Sequence, residues 1–207
     1  MSWSAQGVGI AMKLSEFGIT AAFVGLFLVA SGVKAGGDQD KSDLTREERS
    51  AWYQRLKWPA DCEESFQSRA EDIPDAGLTF HRLKDKQYLV EIQCYLGAYQ
   101  PGFVFMFYDE ARTKTVLLKF KRYERETDGR VSRYLETELS GFPEFDDKTK
   151  ELKVWSKSRG IGDCGSIVVY TFRNGQPVVK EARAQACQDD PDAPFAEPEA
   201  WPRVRNP

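Results

Sequence analysis

Phe-Val-Phe-Met-Phe-Tyr, at residues 103–108, is the stretch of sequence that decides the fold. In a β-strand successive side chains point to opposite faces, so an unbroken apolar and aromatic run makes both faces apolar. A strand of this kind belongs in the middle of a sheet that is covered on both sides. We therefore predict a central strand over these residues.

On either side of this stretch the chain changes to short alternating runs, which predict further strands. Asn174-Gly175 predicts a tight hairpin between the last two of them. The pattern predicts a mainly β domain with an antiparallel sheet, and a sandwich, a barrel and a small propeller-like sheet all stay open. About eight strands are expected, beginning at 78 and covering 87–94, 103–108, 115–123, 130–139, 151–155, 166–172 and 178–186, with turns at 127–129, 145–147 and 173–175.

The helical signals lie before the first strand, which predicts one or two short N-terminal helices. Thr45-Arg46-Glu47-Glu48 has the spacing of a capping box, and the helix that it begins should end before Pro59. A second short helix is predicted over 61–67, with Cys62 and Phe66 on one face.

The cysteines predict two disulfides. The chain has four, at Cys62, Cys94, Cys164 and Cys187, and an even count in an exported chain is typical of a disulfide framework. Of the three pairings that four cysteines allow, Cys62–Cys94 and Cys164–Cys187 are favoured because each joins neighbours along the chain. A four-cysteine zinc site needs closely spaced pairs, and this chain has none.

The N-terminal segment predicts export. Residues 17–33 carry no charge, and Val33 and Ala35 are small residues at the positions that a signal peptidase reads. An uncleaved membrane anchor is the alternative, in which residues 17–33 face the membrane and the domain lies outside the cytoplasm. We predict a signal peptide at 1–35, a linker at 36–44, a disulfide-linked domain at 45–188 and a proline-rich tail at 189–207 that packs on it.

Composition narrows the function. The 207 residues are 41% hydrophobic and 29% charged, which is globular, and the net charge of −3 argues against nucleic acid as a partner. His81 is the single histidine, which limits both histidine catalysis and metal binding. Neither a cofactor nor a metal is expected. Gly160 to Gly165 matches G-x-G-x-x-G, but a strand follows it where a dinucleotide site needs a helix.

The loop over residues 157–163 is the best candidate for binding a partner, because ordered loops on a sheet carry binding sites. Trp155, Arg159 and Asp163 are the candidate residues, and the Arg159 guanidinium has the fork geometry that suits a carboxylate. The structural alternative is that Arg159 pairs with Asp163 and only closes the loop.

Four stretches of the chain together resemble the family called domain of unknown function 1176, over about residues 52–205. The resemblance implies an exported bacterial protein, similar to cyanobacterial members and placed in the periplasm, and it implies no catalytic residue. The stretches are Trp-Pro-Ala-Asp-Cys-Glu at 58–63, Cys-Tyr-Leu-Gly-Ala-Tyr-Gln at 94–100, Gly-Phe-Pro-Glu-Phe-Asp at 141–146 and Ser-Arg-Gly-Ile-Gly-Asp-Cys-Gly at 158–165.

These observations favour a non-enzymatic binding or inhibitory module of the cell envelope, periplasmic or secreted, with a periplasmic protein such as a lysozyme or a cell-wall component as partner. Two alternatives stay open. One is an envelope hydrolase that cleaves glycan with paired carboxylates, and the other is a structural or assembly protein held at the membrane by residues 17–33.

Overall fold

The computed structural model describes residues 44–73, 75–188 and 196–207. The predicted signal peptide and nearly all of the predicted linker lie outside the described residues, as does part of the proline-rich tail. The described chain forms two helices, α1 (Arg46–Leu56) and α2 (Ala60–Ser68), and eleven strands. The strands are β1 (Leu78–Lys84), β2 (Gln87–Leu96), β3 (Pro101–Asp109), β4 (Lys114–Leu117), β5 (Phe120–Arg125), β6 (Val131–Glu136), β7 (Glu138–Ser140), β8 (Phe142–Asp146), β9 (Glu151–Lys157), β10 (Gly165–Arg173) and β11 (Gln176–Gln185).

Strand β3 is the central strand of the first sheet, which confirms the prediction made from residues 103–108. It pairs antiparallel with β2 along one edge, and its other edge is shared by β4 and β7. Phe103, Phe105 and Phe107 lie on one face of β3 in the larger core. On the other face Tyr108 lies edge-on to Trp52 of α1, with 5.8 Å between the ring centroids.

The second sheet has the order β11-β10-β9-β8, and it shares the larger core with the first sheet. Leu152, Val154, Val168, Tyr170, Ala182 and Ala184 supply its inner face. The described residues thus form a helical layer, a five-stranded sheet and a four-stranded sheet, with β5 and β6 paired as a separate hairpin. The prediction of a mainly β, antiparallel fold with two short N-terminal helices is confirmed, and the packing of two open sheets on one core corresponds to the sandwich among the arrangements left open.

Two of the predicted strands were too long, because each spans a change of sheet. The stretch 115–123 divides into β4 and β5, yet Leu118 and Phe120 are both fully buried in the same core. The alternation of apolar side chains continues through the corner between β4 and β5, so the sequence pattern does not reveal this corner. The stretch 130–139 divides into β6 and β7, where Leu135 is 65% exposed and Leu139 is 1% exposed. A continuous strand would have placed these two leucines on one face.

The turn predicted at 145–147 is also wrong at its start, because residues 142–146 form β8 and the turn follows them. Strand β8 is an edge strand that contains Pro143, and proline within a run weakens the sequence signal for a strand. The Asn-Gly hairpin is confirmed: Asn174 and Gly175 have φ of 52° and 75°, and they connect the paired residues Arg173 and Gln176.

Both predicted disulfides are present. Cys62–Cys94 joins α2 to β2, and Cys164–Cys187 joins the residue before β10 to the end of β11. The first bond therefore fixes the helical layer to the first sheet, and the second fixes the loop that precedes β10 to the chain that leaves the second sheet.

A buried ion pair fixes the helices to the first sheet beside the Cys62–Cys94 bond. Arg49 of α1 is fully buried, and its Nε donates to Glu63 Oε2 of α2 at 2.9 Å. The guanidinium stacks over Phe66 at 3.6 Å from the ring centroid, and Trp58 Nε1 donates to the same carboxylate at 3.0 Å. Burial lowers the pKa of Arg49, although the hydrogen bond that Arg49 donates to Glu63 opposes this shift. The remaining donors of Arg49 reach the carbonyl oxygens of Ala76, Gly77 and Gln93.

The C-terminal residues 196–207 lie against the second sheet. Trp201 is 1% exposed, its Nε1 donates to Ala196 O at 3.0 Å, and Arg203 forms a β-bridge with Arg183 of β11. Across the described ranges, helices are too short or too polar to cross a bilayer.

We predict that Glu63→Ala lowers the free energy of unfolding by about 3–5 kcal/mol, because it leaves the Arg49 charge buried without its partner. Urea unfolding with the disulfides intact measures this change. Glu64→Ala, one residue along the same helix at an exposed position, is the matched control and should change stability by less than about 0.5 kcal/mol. Equal losses from the two variants would contradict the role assigned to the pair.

Candidate partner-binding site

Two loops meet at one end of the sheets, and together we call them the paired loops: residues 97–100, between β2 and β3, and residues 157–163, which lead to β10. Gln100 connects them, since its Oε1 accepts from the Lys157 N–H at 2.9 Å and its Nε2 donates to Lys157 O at 3.2 Å. Tyr99 lies beside Gly160, where an added methyl group would be 3.8 Å from the tyrosine ring. Each loop therefore supports the other.

Arg159 and Asp163 form a bidentate ion pair, which is the structural alternative given above for this loop. Arg159 Nε donates to Asp163 Oδ1 at 2.8 Å, and its Nη2 donates to Oδ2 of the same carboxylate and to Gln188 O. The hydrogen bond from Arg159 holds the pKa of Asp163 below its usual value of 3.8. This geometry closes the loop, and a direct contact of either residue with a partner stays a prediction.

The base of the 157–163 loop is fixed by the second disulfide and by close backbone packing. Ser158 N–H donates to Cys164 O at 3.0 Å, and Cys164 is bonded to Cys187. Gly165 follows with φ of 141°, and a β-carbon there would lie 2.1 Å from Ser156 O. Glycine is required at this position, because any side chain would collide with the neighbouring strand.

Trp155 lies beneath the loop, where it forms a cross-strand pair with Phe142 at 5.5 Å between ring centroids. Lys157 places its Nζ 4.8 Å from the Trp155 ring centroid, and Gly162 covers the ring edge, since a methyl group there would lie 3.4 Å from Cζ2. Trp155 therefore supports the loop from below. Its buried Nε1 has no hydrogen-bond partner among the described residues.

The paired loops expose two large apolar side chains that were not predicted from the sequence to bind a partner. Ile161 is 73% exposed and Tyr99 is 47% exposed, and Tyr134 and Leu135 are the other exposed large hydrophobic residues in the described chain. Ile161 lies between two glycines in a loop, and this context was the signal that should have marked it as a residue that does not enter the core.

A polar cleft of about 270 Å³ lies beside Lys157 and Ser158, between β9, β10 and the β5–β6 hairpin. Arg122 Nη1 donates to Glu136 Oε2 at 2.9 Å within it. Within the described chain, the buried Tyr123 hydroxyl in its wall has no hydrogen-bond partner, and burial raises the pKa of this tyrosine. Tyr134 also lines the cleft, so one more exposed aromatic ring lies close to the paired loops.

Two glutamates line this cleft, and their backbone positions are farther apart than the carboxyl groups of a paired-carboxylate hydrolase. Glu124 lies opposite Ser132 and Glu136 lies opposite Phe120, so the two glutamates are four residues apart along the β5 ladder, or about 13 Å between backbone positions. Paired-carboxylate hydrolases hold their carboxyl groups about 5–10 Å apart. Glu136 is also engaged by Arg122.

His81 is buried away from these surfaces. Its Nε2 lies 2.9 Å from Glu91 Oε2, and its ring stacks on Phe145 with 4.5 Å between centroids. These contacts place the histidine within the packing between the two sheets. No three His, Cys, Asp or Glu side chains of the described residues come together in a way that would hold a metal ion.

The fold and this site define a class of protein: a β domain with two disulfides that presents a braced pair of loops with exposed apolar side chains. The chain belongs to the family described as "Protein of unknown function (DUF1176)", whose model matches residues 30–204. A comparison with curated proteins and a comparison with solved structures each find no match.

We predict that Asp163→Asn destabilises the protein by about 0.5–1 kcal/mol at neutral pH, a value that allows for solvent screening at this partly exposed pair. Because the pKa of Asp163 is lowered from 3.8 in the folded state, its contribution is complete above that pH and declines as the pH falls through the folded value. Urea unfolding of both proteins from pH 7 to pH 2 tests this, with exposed Asp72→Asn as control. A difference that does not depend on pH would contradict it.

We predict that the double variant Cys164→Ser/Cys187→Ser loses about 3 kcal/mol of unfolding free energy, as the chain-entropy model gives for a closed loop of 23 residues. Proteolysis should then begin within residues 157–163, because the base of the loop is no longer fixed. The Cys62→Ser/Cys94→Ser variant is the control: it should lose similar stability while the 157–163 loop stays protected. Equal protection of the loop in both variants would argue against the bracing role of the Cys164–Cys187 bond.

Proposed function

We propose that this protein is an exported bacterial binding module without catalytic activity, which engages a protein of the cell envelope through the paired loops. Two disulfides in the described domain indicate an oxidising location outside the cytoplasm. Export fits the uncharged run at residues 17–33. Membership of the DUF1176 family adds no activity of its own to this proposal.

The observation that carries the proposal is the exposure of Ile161 and Tyr99 on adjacent, braced loops. Exposed apolar side chains that lie together mark interaction sites more often than scattered ones do. Tyrosine is also enriched among the residues that dominate binding energy at protein interfaces. A large exposed isoleucine in a loop contributes little to its own fold, and contact with a partner would bury it.

Bracing supports binding in a second way. Association costs free energy when flexible loops become ordered, and a loop already held in one conformation avoids much of this cost. The Gln100–Lys157 hydrogen bonds, the Arg159–Asp163 fork and the Cys164–Cys187 bond all restrict the paired loops. In this proposal Arg159 acts by holding the loop in shape, and the exposed apolar residues make the contact.

Inhibition of an enzyme is a more specific form of this proposal. A braced loop that exposes Ile161 suits insertion into the cleft of an envelope hydrolase such as a lysozyme. Addition of the purified protein to a lysozyme acting on a cell-wall suspension tests inhibition directly, and Ile161→Asp is the variant that should lose it.

We predict that a photo-cross-linking amino acid at position 161 captures a discrete protein partner in the envelope of producing cells. The same probe at position 173, an exposed arginine in the Asn-Gly hairpin, is the control and should give no such adduct. With the probe at position 99, Ile161→Asp should lower the yield at least about tenfold, since a buried charge without a partner is costly at an interface. The proteins should share one melting temperature, because Ile161 is exposed.

Adducts of equal yield from positions 161 and 173 would contradict the proposal, and so would an adduct from position 99 that is indifferent to Ile161→Asp. Hydrolysis of purified cell-wall glycan by the protein, abolished by Glu136→Gln, would instead support the carboxylate hydrolase.

A further inference from the structure

A second surface, separate from the paired loops, has an unusual concentration of positive charge. A groove of about 530 Å³ runs between the turn of the β5–β6 hairpin and the C-terminal residues 202–205. Four arginines line it: Arg125, Arg133, Arg203 and Arg205. No aspartate or glutamate of the described chain lines this groove. We call it the arginine groove.

Two of these guanidinium groups are held in place by backbone carbonyl oxygens. Arg125 Nε donates to Ala184 O at 2.8 Å, and its Nη1 donates to Gly129 O at 3.1 Å. Arg133 Nη2 donates to Arg205 O at 3.2 Å, which also joins the hairpin to the C-terminal segment. A carbonyl oxygen orients a guanidinium but leaves its positive charge uncompensated.

Carboxylates in the described chain neutralise little of this charge. Arg203 Nε lies 3.4 Å from Glu181 Oε1, but that same oxygen accepts from Arg183 at 2.9 Å. Arg125, Arg133 and Arg205 have no ion pair among the described residues. Arginines elsewhere in the described chain are commonly paired, at Arg49, Arg82, Arg112, Arg122, Arg130, Arg159 and Arg183. What distinguishes the groove is that four guanidinium groups line it together.

The net charge of the whole chain is negative, which makes a concentration of four arginines on one groove unexpected. The protein carries a net charge of −3, so four cations on one groove run against its overall balance. Guanidinium groups without carboxylate partners repel one another, and an anion that bridges them relieves this repulsion. Phosphate matches the fork of the guanidinium, and several phosphate oxygens can be bound by more than one arginine.

We propose that the arginine groove is a binding site for a ligand with two or more phosphate groups. Its volume is within the range of sites for small molecules and exceeds what a single phosphate fills. Val131 and Val204 also line the groove and give the ligand an apolar surface beside its charged groups. The site does not depend on the function proposed for the paired loops, since it shares none of their residues.

Phosphate groups of this kind reach an exported protein either on a soluble molecule or on a lipid headgroup, and the experiment separates the two sources. Calorimetry at low salt measures binding of tripolyphosphate to the purified full chain. Sedimentation measures binding to vesicles of phosphatidylglycerol, with phosphatidylcholine vesicles as the neutral reference. Binding in either arm should weaken as sodium chloride is added, because the contacts are between charges near the surface.

The variant Arg133→Gln/Arg205→Gln removes two of the four cations and should weaken binding at least about tenfold. The matched control is Arg82→Gln/Arg173→Gln, which removes the same charge at exposed positions outside the groove and should bind like the unchanged protein. Arg205→Gln alone is a second variant, because the Arg205 side chain makes no hydrogen bond to the described residues and its loss leaves the fold intact.

Loss of tripolyphosphate binding in the groove variants alone identifies a soluble phosphate ligand, and loss confined to the phosphatidylglycerol vesicles identifies a lipid headgroup. Absence of binding to both probes overturns the proposal. An equal loss in the control variant also overturns it, since binding would then follow total charge and not the groove.

Discussion

Strand β3 is hydrogen-bonded along both edges and apolar on both faces, and this constraint sets the position of each other layer. Its odd-numbered phenylalanines need the second sheet to cover them, and Tyr108 on its other face needs the helices. The loop before β3, residues 97–100, is held in position by this strand, because any shift of β3 would disrupt the packing on both of its faces. The proposed partner-binding site therefore lies next to a strand that is packed on both of its faces.

Some charged side chains are paired within the fold, whereas the arginines of the groove are mostly without a carboxylate partner among the described residues. Arg49–Glu63 joins α1 to α2, His81–Glu91 joins β1 to β2 within the first sheet, and Arg159–Asp163 closes a loop. In each of them the charge is satisfied within the chain. Arg125 and Arg133 of the groove are oriented by carbonyl oxygens and have no carboxylate partner among the described residues. Both proposed binding surfaces therefore lie where the fold exposes apolar side chains or arginines that it does not pair fully with carboxylates.

The sequence was informative wherever one residue type permits one local structure. The apolar run at 103–108, the capping box at Thr45, the Asn-Gly turn and both cysteine pairings were predicted and are present. The corners at Leu118 and Thr137 could not be predicted, because the alternation of side chains continues while the strand changes sheets. The 157–163 loop was predicted as a candidate for binding, but its pairing with Tyr99 and the arginine groove were not, since these residues come together only through tertiary contacts between distant segments of chain.

The Cys164–Cys187 bond lies between the two surfaces described above and supports parts of both. On one side it anchors the loop that carries Ile161, and on the other it holds the end of β11, whose Ala184 carbonyl receives Arg125. A thiol-disulfide oxidoreductase that opened this single bond would loosen both surfaces together while Cys62–Cys94 kept the helices attached. One covalent bond of the described domain thus contributes to the mechanical support of both surfaces.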